Sequence, residues 1–246
     1  MVKMTKKVLI TGAAKRIGAT CARVLHAKGY DIFLHYRSSQ QEAVDLSREL
    51  NEIRANSVIL RQADLLNTEE ISMLVAELES LWGDLDVLIN NASAFYPQAM
   101  GEVSEQDWDV LLGSNLKAPF FLSQKLTPLL QKSNGCIVNI IDIHAERGLK
   151  GYPVYSIAKA GLAAMTKILA KELGPDVRVN GVSPGAVIWP EAGMTDIEKA
   201  EIIQRVALKR TGKQEDIAKT VAFLIEDASY ITGQIIVVDG GRTLFC

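Results

Sequence analysis

Tyr155 and Lys159 stand four residues apart in the run Tyr155-Ser156-Ile157-Ala158-Lys159. On a helix that spacing puts both side chains on one face. An ammonium beside a phenol favours the phenolate, so it lowers the phenol's pKa and makes a proton donor usable near neutral pH. A surface pair is the plainer reading of the same spacing. The position in the chain favours chemistry: the pair follows an apolar run at 137–141 that reads as a strand, and in parallel α/β sheets ligands collect at the carboxyl edge of the strands.

A second group of residues is suited to phosphates. The first apolar run, Val8-Leu9-Ile10, ends in Thr11-Gly12-Ala13-Ala14-Lys15-Arg16-Ile17-Gly18. Small residues let a backbone pass close to a pyrophosphate, and the free N–H groups of the helix that follows point at it. With only Gly12 and Gly18 present, this is not the G-x-G-x-x-G form, and a ligand-free strand–helix turn is the competing reading. The second strand ends in His35-Tyr36-Arg37-Ser38-Ser39. An acid there would hold a ribose 2′-hydroxyl. Here Arg37 offers a fork for a 2′-phosphate and the two serines offer hydroxyls, with Arg16 in the neighbouring loop. The cofactor expected is therefore NADPH, with Lys159 holding its nicotinamide ribose; solvated loop arginines are the alternative. His35 has packing at a strand end as its default role. Asp64, followed by Leu65, is placed to accept from an adenine amino group or to cap the next turn.

The elements that must position these residues follow from periodicity. Strands are expected at 8–10, 32–34, 58–60, 87–89, 137–141, 177–182 and 235–238, apolar on both faces and separated by helical patterns. A helix face is carried by Ile71, Leu74, Val75, Leu78 and Leu81, with Asn67 and Glu70 as its capping box. Amphipathic patterns at 105–130 and 153–171 read as core or subunit interface. The expected fold is a Rossmann-like, doubly wound α/β three-layer sandwich on a seven-stranded parallel sheet, one domain over residues 1–246. The segment 186–212, with one amphipathic helix near 195–208, reads as a substrate lid. Trp189 within it either closes over substrate or anchors the loop.

Composition narrows the function classes. The chain has 246 residues, 48% of them hydrophobic, with 27 basic and 29 acidic side chains. A net charge of -2 points to neither nucleic acid nor an anionic membrane as partner. Cys21, Cys136 and Cys246 show neither disulfide nor zinc spacing, and no metal is expected. No stretch is long and apolar enough to span a bilayer or form a signal peptide, so a reducing cytoplasmic location is expected.

Taken together, TGAAKRIG, NNAS, the Asn115 of GSNLKAPFF, YSIAK, RVNGVSPG and YITGQIIVVDGG resemble the short-chain dehydrogenase/reductase family from Thr11 to Gly241. The resemblance implies that Tyr155 is the proton donor and Lys159 its ribose-binding partner. It implies that Asn115 holds a proton-relay water, that Asn91 and Ala92 flank the adenosine ribose and nicotinamide, and that Pro184 and Gly185 border the nicotinamide. A homotetramer is implied in the same way.

The chain departs from the general pattern in one informative place. Thirteen residues before Tyr155, where most members have Ser, stands Asp142. A hydroxyl can donate to a ketone oxygen; an ionised carboxylate can only accept and repels a developing alkoxide. A nitrogen heterocycle with a C=N bond suits a Tyr–Asp pair, which can deliver a proton to ring nitrogen while hydride goes to carbon. A degenerate, weakly active site is the alternative. Arg16 and Ser93 replace usual glycines, and Phe95 offers a flat face for a heteroaromatic stacked against the nicotinamide, or a plain loop anchor. This combination resembles the pteridine reductases, in which Ser93 and Phe95 match pterin-contacting positions. The substrate implied is a dihydropterin (dihydrobiopterin, dihydromonapterin or dihydrofolate). A carbonyl reductase of the 3-oxoacyl thioester type, or an NADPH-binding regulatory protein with little turnover, are the competing readings.

Overall fold

The computed structural model describes residues 5–187 and 194–245. Seven strands, β1 (Lys7–Ile10), β2 (Asp31–Tyr36), β3 (Val58–Gln62), β4 (Val87–Asn90), β5 (Cys136–Ile140), β6 (Arg178–Pro184) and β7 (Ile235–Val238), form one sheet in the order 3-2-1-4-5-6-7. Every pairing is parallel. Ile10 is in register with Leu34 on one side and Ile89 on the other, so the chain reverses its winding about β1. The mouth of a doubly wound sheet opens at that switch.

Both faces are covered because both faces are apolar. Val8 and Ile10 pack into a core with α1 (Arg16–Ala27), α2 (Gln40–Ile53) and α9 (Gln214–Glu226). Leu9, one residue between, belongs to the opposite core with α3 (Thr68–Trp82), α5 (Ala118–Lys132) and α7 (Pro153–Glu172). Period-two alternation thus feeds two separate layers from one strand. Among the described residues, no helix is long and apolar enough to cross a membrane.

A buried polar chain ties down the helix that carries Tyr155 and Lys159. Asn90 on β4 donates to Asn139 Oδ1 on β5 at 2.9 Å, and Asn139 Nδ2 donates to Thr166 Oγ1 on α7 at 2.9 Å. Buried side-chain hydrogen bonds of this kind help set register between packed elements.

Several expectations are corrected. The pattern at 105–130 spans two helices: α4 (Glu105–Leu112) passes through a π-helical turn, Gly113–Lys117, into α5. Asn67 does cap α3, but through the Glu69 N–H, while Glu70 reaches back to the Asp64 N–H at 2.7 Å instead of closing a capping box. Leu81 is exposed, while its neighbour Trp82 supplies the last turn's packing, edge-on to Phe33 at 5.8 Å. In the lid segment, α8 (Asp196–Gln204) buries no residue against its own chain, so it has no core-facing stripe. Trp189 and Cys246 lie outside the described residues, and Cys21 and Cys136 are buried free thiols.

Candidate active site

The carboxyl ends of the strands open into a cavity of about 620 Å³. Its first wall is the turn after β1. Gly12 has φ of 61°, and a Cβ there would lie 2.9 Å from Ala92 Cα. Gly18 is buried behind the turn, where a Cβ would lie 2.4 Å from the Gly12 carbonyl oxygen and 2.6 Å from Asn91 Nδ2. Asn91 Nδ2 donates to the carbonyls of both Thr11 and Gly12 at 2.9 Å, while the Thr11 hydroxyl accepts from the Asn91 and Ala92 N–H groups. Turn and β4 end are therefore one rigid unit. Arg16 takes φ of 54°, where a glycine would sit unstrained, at a cost of about 1–2 kcal/mol. Arg16 and Ile17 line the cavity, with Arg16 exposed at its rim.

The expected 2′-phosphate end is assembled from Tyr36, Arg37, Ser38 and Ser39, which line the same cavity. No acidic side chain stands at 35–39. Asp64 and Leu65 close this end; Asp64 Oδ1 accepts the Leu66 N–H at 3.0 Å, so the turn-capping role is the one formed. His35 also lines the cavity, but both ring nitrogens serve the backbone. Nδ1 accepts the Gly12 N–H at 3.1 Å and Nε2 pairs with the Ala63 carbonyl at 3.0 Å. Burial holds its pKa down to about 4. His35 is thus the strut of the turn, a role that its strand-end position only partly suggested.

The reacting end lies between the ends of β4, β5 and β6. Tyr155 Oη donates to Asp142 Oδ2 at 2.8 Å, and Asp142 Oδ1 accepts the His144 N–H at 2.8 Å. Lys159 Nζ donates to the Ile140 carbonyl at 2.9 Å and sits 5.7 Å from the Tyr155 ring centroid. Pro184 and Gly185 complete this wall. Burial lowers the Lys159 pKa to about 8. The Tyr155 pKa is raised, not lowered: burial acts first, and the adjoining Asp142 carboxylate adds to it. The carboxylate accepts the phenol's hydrogen directly, and that contact outweighs the ammonium beside the ring.

Phe95 stands at the same wall, 43% exposed. One face stacks on Tyr152 with centroids 4.5 Å apart, and its ring meets Tyr155 edge-on at 4.8 Å. It is both a loop anchor and an aromatic surface at the cavity. Asn115 is fully buried in the π-helical turn, behind the wall instead of in it. Its Nδ2 donates to the carbonyls of Ala94 and Leu111, and its Oδ1 accepts the Ser93 hydroxyl at 2.7 Å. The wider π turn lets Asn115 take the Leu111 carbonyl, a common use of such bulges at functional sites. Ser93 and Ala92 face the cavity, but the Ser93 hydrogen is spent on Asn115. Among the described residues no group of His, Cys, Asp or Glu is placed to hold a metal.

Comparison with known proteins gives consistent matches over nearly the whole chain. The family model described as Enoyl-(Acyl carrier protein) reductase matches residues 12–243. The chain is 36% identical over 243 residues to the 3-oxoacyl-[acyl-carrier-protein] reductase FabG of Staphylococcus aureus, covering 97% of this chain and 98% of that protein. It is also 36% identical over 277 residues to Pteridine reductase 1 of Leishmania tarentolae, covering 96% of each. The uncharacterized oxidoreductase YmfI of Bacillus subtilis is 34% identical, with 97% of this chain and 99% of that protein covered.

Proposed function

The chain belongs to the short-chain dehydrogenase/reductase family of NAD(P)(H)-dependent oxidoreductases, and from that premise we propose that it is an NADPH-dependent pteridine reductase, reducing dihydropterins to their tetrahydro forms. The observation that carries this reading is the 2.8 Å bond between Tyr155 and Asp142 inside the cavity that Phe95 also lines. A relative named as a pteridine reductase supports it. The relatives named as 3-oxoacyl reductases share the same 36% identity and favour a carbonyl substrate as the second reading. Asp142 speaks against that one, because a carboxylate beside Tyr155 repels the oxyanion that carbonyl reduction develops.

The cavity suits the cofactor on the chain's own terms. It runs without a break from Arg37, Ser38 and Ser39 to Tyr155, Lys159 and Pro184. Gly12 and the helix α1 N-terminus would hold the pyrophosphate, Arg37 and the serines a 2′-phosphate, and Lys159 with Tyr155 the nicotinamide ribose. When bound, NADPH supplies the hydride that goes to carbon. The chain's part is the proton. Reduction of C=N to CH–NH takes one hydride on carbon and one proton on nitrogen, and Tyr155 and Asp142 share the hydrogen that can be given to ring nitrogen. The pair carries one negative charge when Asp142 is ionised. Below about pH 8 Lys159 is protonated and offsets that charge from within the same buried site. Asn115 holds Ser93 and Ala94 against the cavity, so it acts as a positioning residue in this geometry. We further propose that the protein assembles as a homotetramer.

The test is a steady-state assay of NADPH oxidation with dihydrobiopterin, dihydromonapterin, dihydrofolate and an acetoacetyl thioester, repeated with NADH. Turnover of pterins, with NADPH preferred, is the expected result. Oxidation with the thioester alone would move the assignment to carbonyl reduction. NADPH binding without turnover of any substrate would assign a regulatory role.

A further inference from the structure

A second cavity, of about 280 Å³, is tied to the site just described through His144, which lines it and gives its N–H to Asp142. Its lining includes His144, Arg147, Arg205 and Arg242. The three guanidinium groups arrive from three separate segments. Arg147 ends α6 (His144–Arg147), Arg205 follows α8, and Arg242 opens the 3₁₀ turn Arg242–Leu244. Three cations gathered from distant parts of the chain are not one solvated helix stripe.

Their partners within the chain are few. Arg147 donates to the carbonyls of Arg242 and Phe245, at 3.4 and 3.0 Å. Neither Arg205 nor Arg242 forms an ion pair among the described residues. The nearby acid Asp239 is already engaged by the N–H groups of Gly241 and Thr243. Arg242 is half-buried, and burial together with Arg147 and Arg205 pulls its pKa down, with Asp142 and Asp239 opposing. Like charges held together in a recess cost free energy that a bound anion offsets. The neighbourhood is defined by the chain itself: His144 lines this cavity and gives its N–H to Asp142 Oδ1. Its ring Nδ1–H donates to the Gly148 carbonyl at 3.1 Å and burial lowers its pKa, so the neutral ring shapes the cavity wall and the anion falls to the arginines.

We propose that Arg147, Arg205 and Arg242, with His144 as a neutral wall beside them, form an anion subsite that takes the carboxylate or phosphate carried on the side chain of a substrate whose ring is held at Asp142. The proposal rests on the pteridine reading for the ring and names the tail. Guanidinium forks match carboxylate and phosphate oxygens bidentately. A pterin with a glutamyl tail would then be preferred to one with a short neutral side chain.

Two measurements test this, one of which does not depend on pterin turnover. With NADP⁺ saturating the cofactor site, p-aminobenzoylglutamate and inorganic phosphate are titrated calorimetrically into the wild-type chain and into Arg205→Ala and Arg242→Ala. Binding of either probe that weakens at least about tenfold in both variants is expected, and the probe that binds identifies the carboxylate or the phosphate source. Arg205→Lys and Arg242→Lys, which keep the charge, should recover part of the binding. In steady-state assays the ratio of KM for dihydrofolate to KM for dihydrobiopterin should rise at least about tenfold in the alanine variants. Neither probe binding, equal binding in wild type and variants, or an unchanged KM ratio would overturn the subsite. If no pterin is turned over but the probe binds through these arginines, the pteridine reading fails while the anion site stands.

Discussion

Asp142 accepts the Tyr155 hydroxyl on one oxygen and the His144 N–H on the other. A serine at this position would have a single oxygen to serve both donors. The carboxyl group therefore does two things: it bonds the first N–H of α6, and it sits on the proton path proposed above. Its charge when ionised suits a substrate nitrogen that gains a proton and disfavours a carbonyl oxygen that gains electrons. Asp142→Ser is predicted to lower kcat for dihydropterins by about 10² or more, the usual scale of a lost acid–base group. The Kd for NADPH should stay within a few-fold of wild type, since the residues proposed to hold the cofactor's phosphates line the other end of the cavity. Stopped-flow single turnovers with pterin, beside fluorescence titration of NADPH, measure both quantities. An unaltered pterin rate would remove Asp142 from the chemistry.

The turn between β1 and α1 shows what an element needs beyond its own sequence. Gly12, Gly18 and the small residues between them are legible from the chain, because close backbone approach permits little else. Its strut is not. His35 meets the Gly12 N–H and the Ala63 carbonyl from 23 and 28 residues away, and no local pattern announces contacts between backbone groups so far apart. The strands were readable for the opposite reason: two-faced burial writes itself as continuous apolar runs. The π-helical turn around Asn115 hid inside an apolar stripe that one inserted residue does not visibly disturb. The same holds for α8, whose periodicity suggested a buried face that the chain does not bury. His35 also gives the turn a pH dependence. Its folded pKa of about 4 lies below the ordinary 6.5, so the unfolded state binds more protons between those values. Stability is then full above pH 6.5 and falls as pH drops toward 4, by at most about 3 kcal/mol. Replacing His35 by Leu leaves the Gly12 N–H and the Ala63 carbonyl without partners. It should cost about 2–4 kcal/mol at neutral pH and flatten the fall in acid. Urea unfolding at neutral pH and near pH 4.5 measures the difference; equal acid sensitivity in both proteins would acquit His35.

At the scale of the whole molecule, α7 faces two ways. Its inner side carries Tyr155 and Lys159, both nearly inaccessible to solvent. Its outer side exposes Ile157, Ala160, Ala164 and Ile168, at helical steps of three and four. Ile157 is 50% and Ile168 56% exposed, and Phe120 on α5 and Trp108 on α4 add to the exposed apolar surface of that layer. Small residues at 160 and 164 let a second helix approach closely, and apolar surface of this kind marks an interface between subunits. The proposed homotetramer buries it by pairing these helices with those of a second copy. Light scattering should therefore give four times 26.9 kDa, and Ile157→Glu combined with Ala164→Glu should reduce that mass by placing like charges in the interface. Because both substitutions point away from the cavity, any loss of turnover in the dissociated protein would measure how far the partner copy braces the helix that holds Tyr155 and Lys159. A monomer in the wild type, stable at working concentration, would mean that this face has a different occupant and that α7 holds Tyr155 and Lys159 without help.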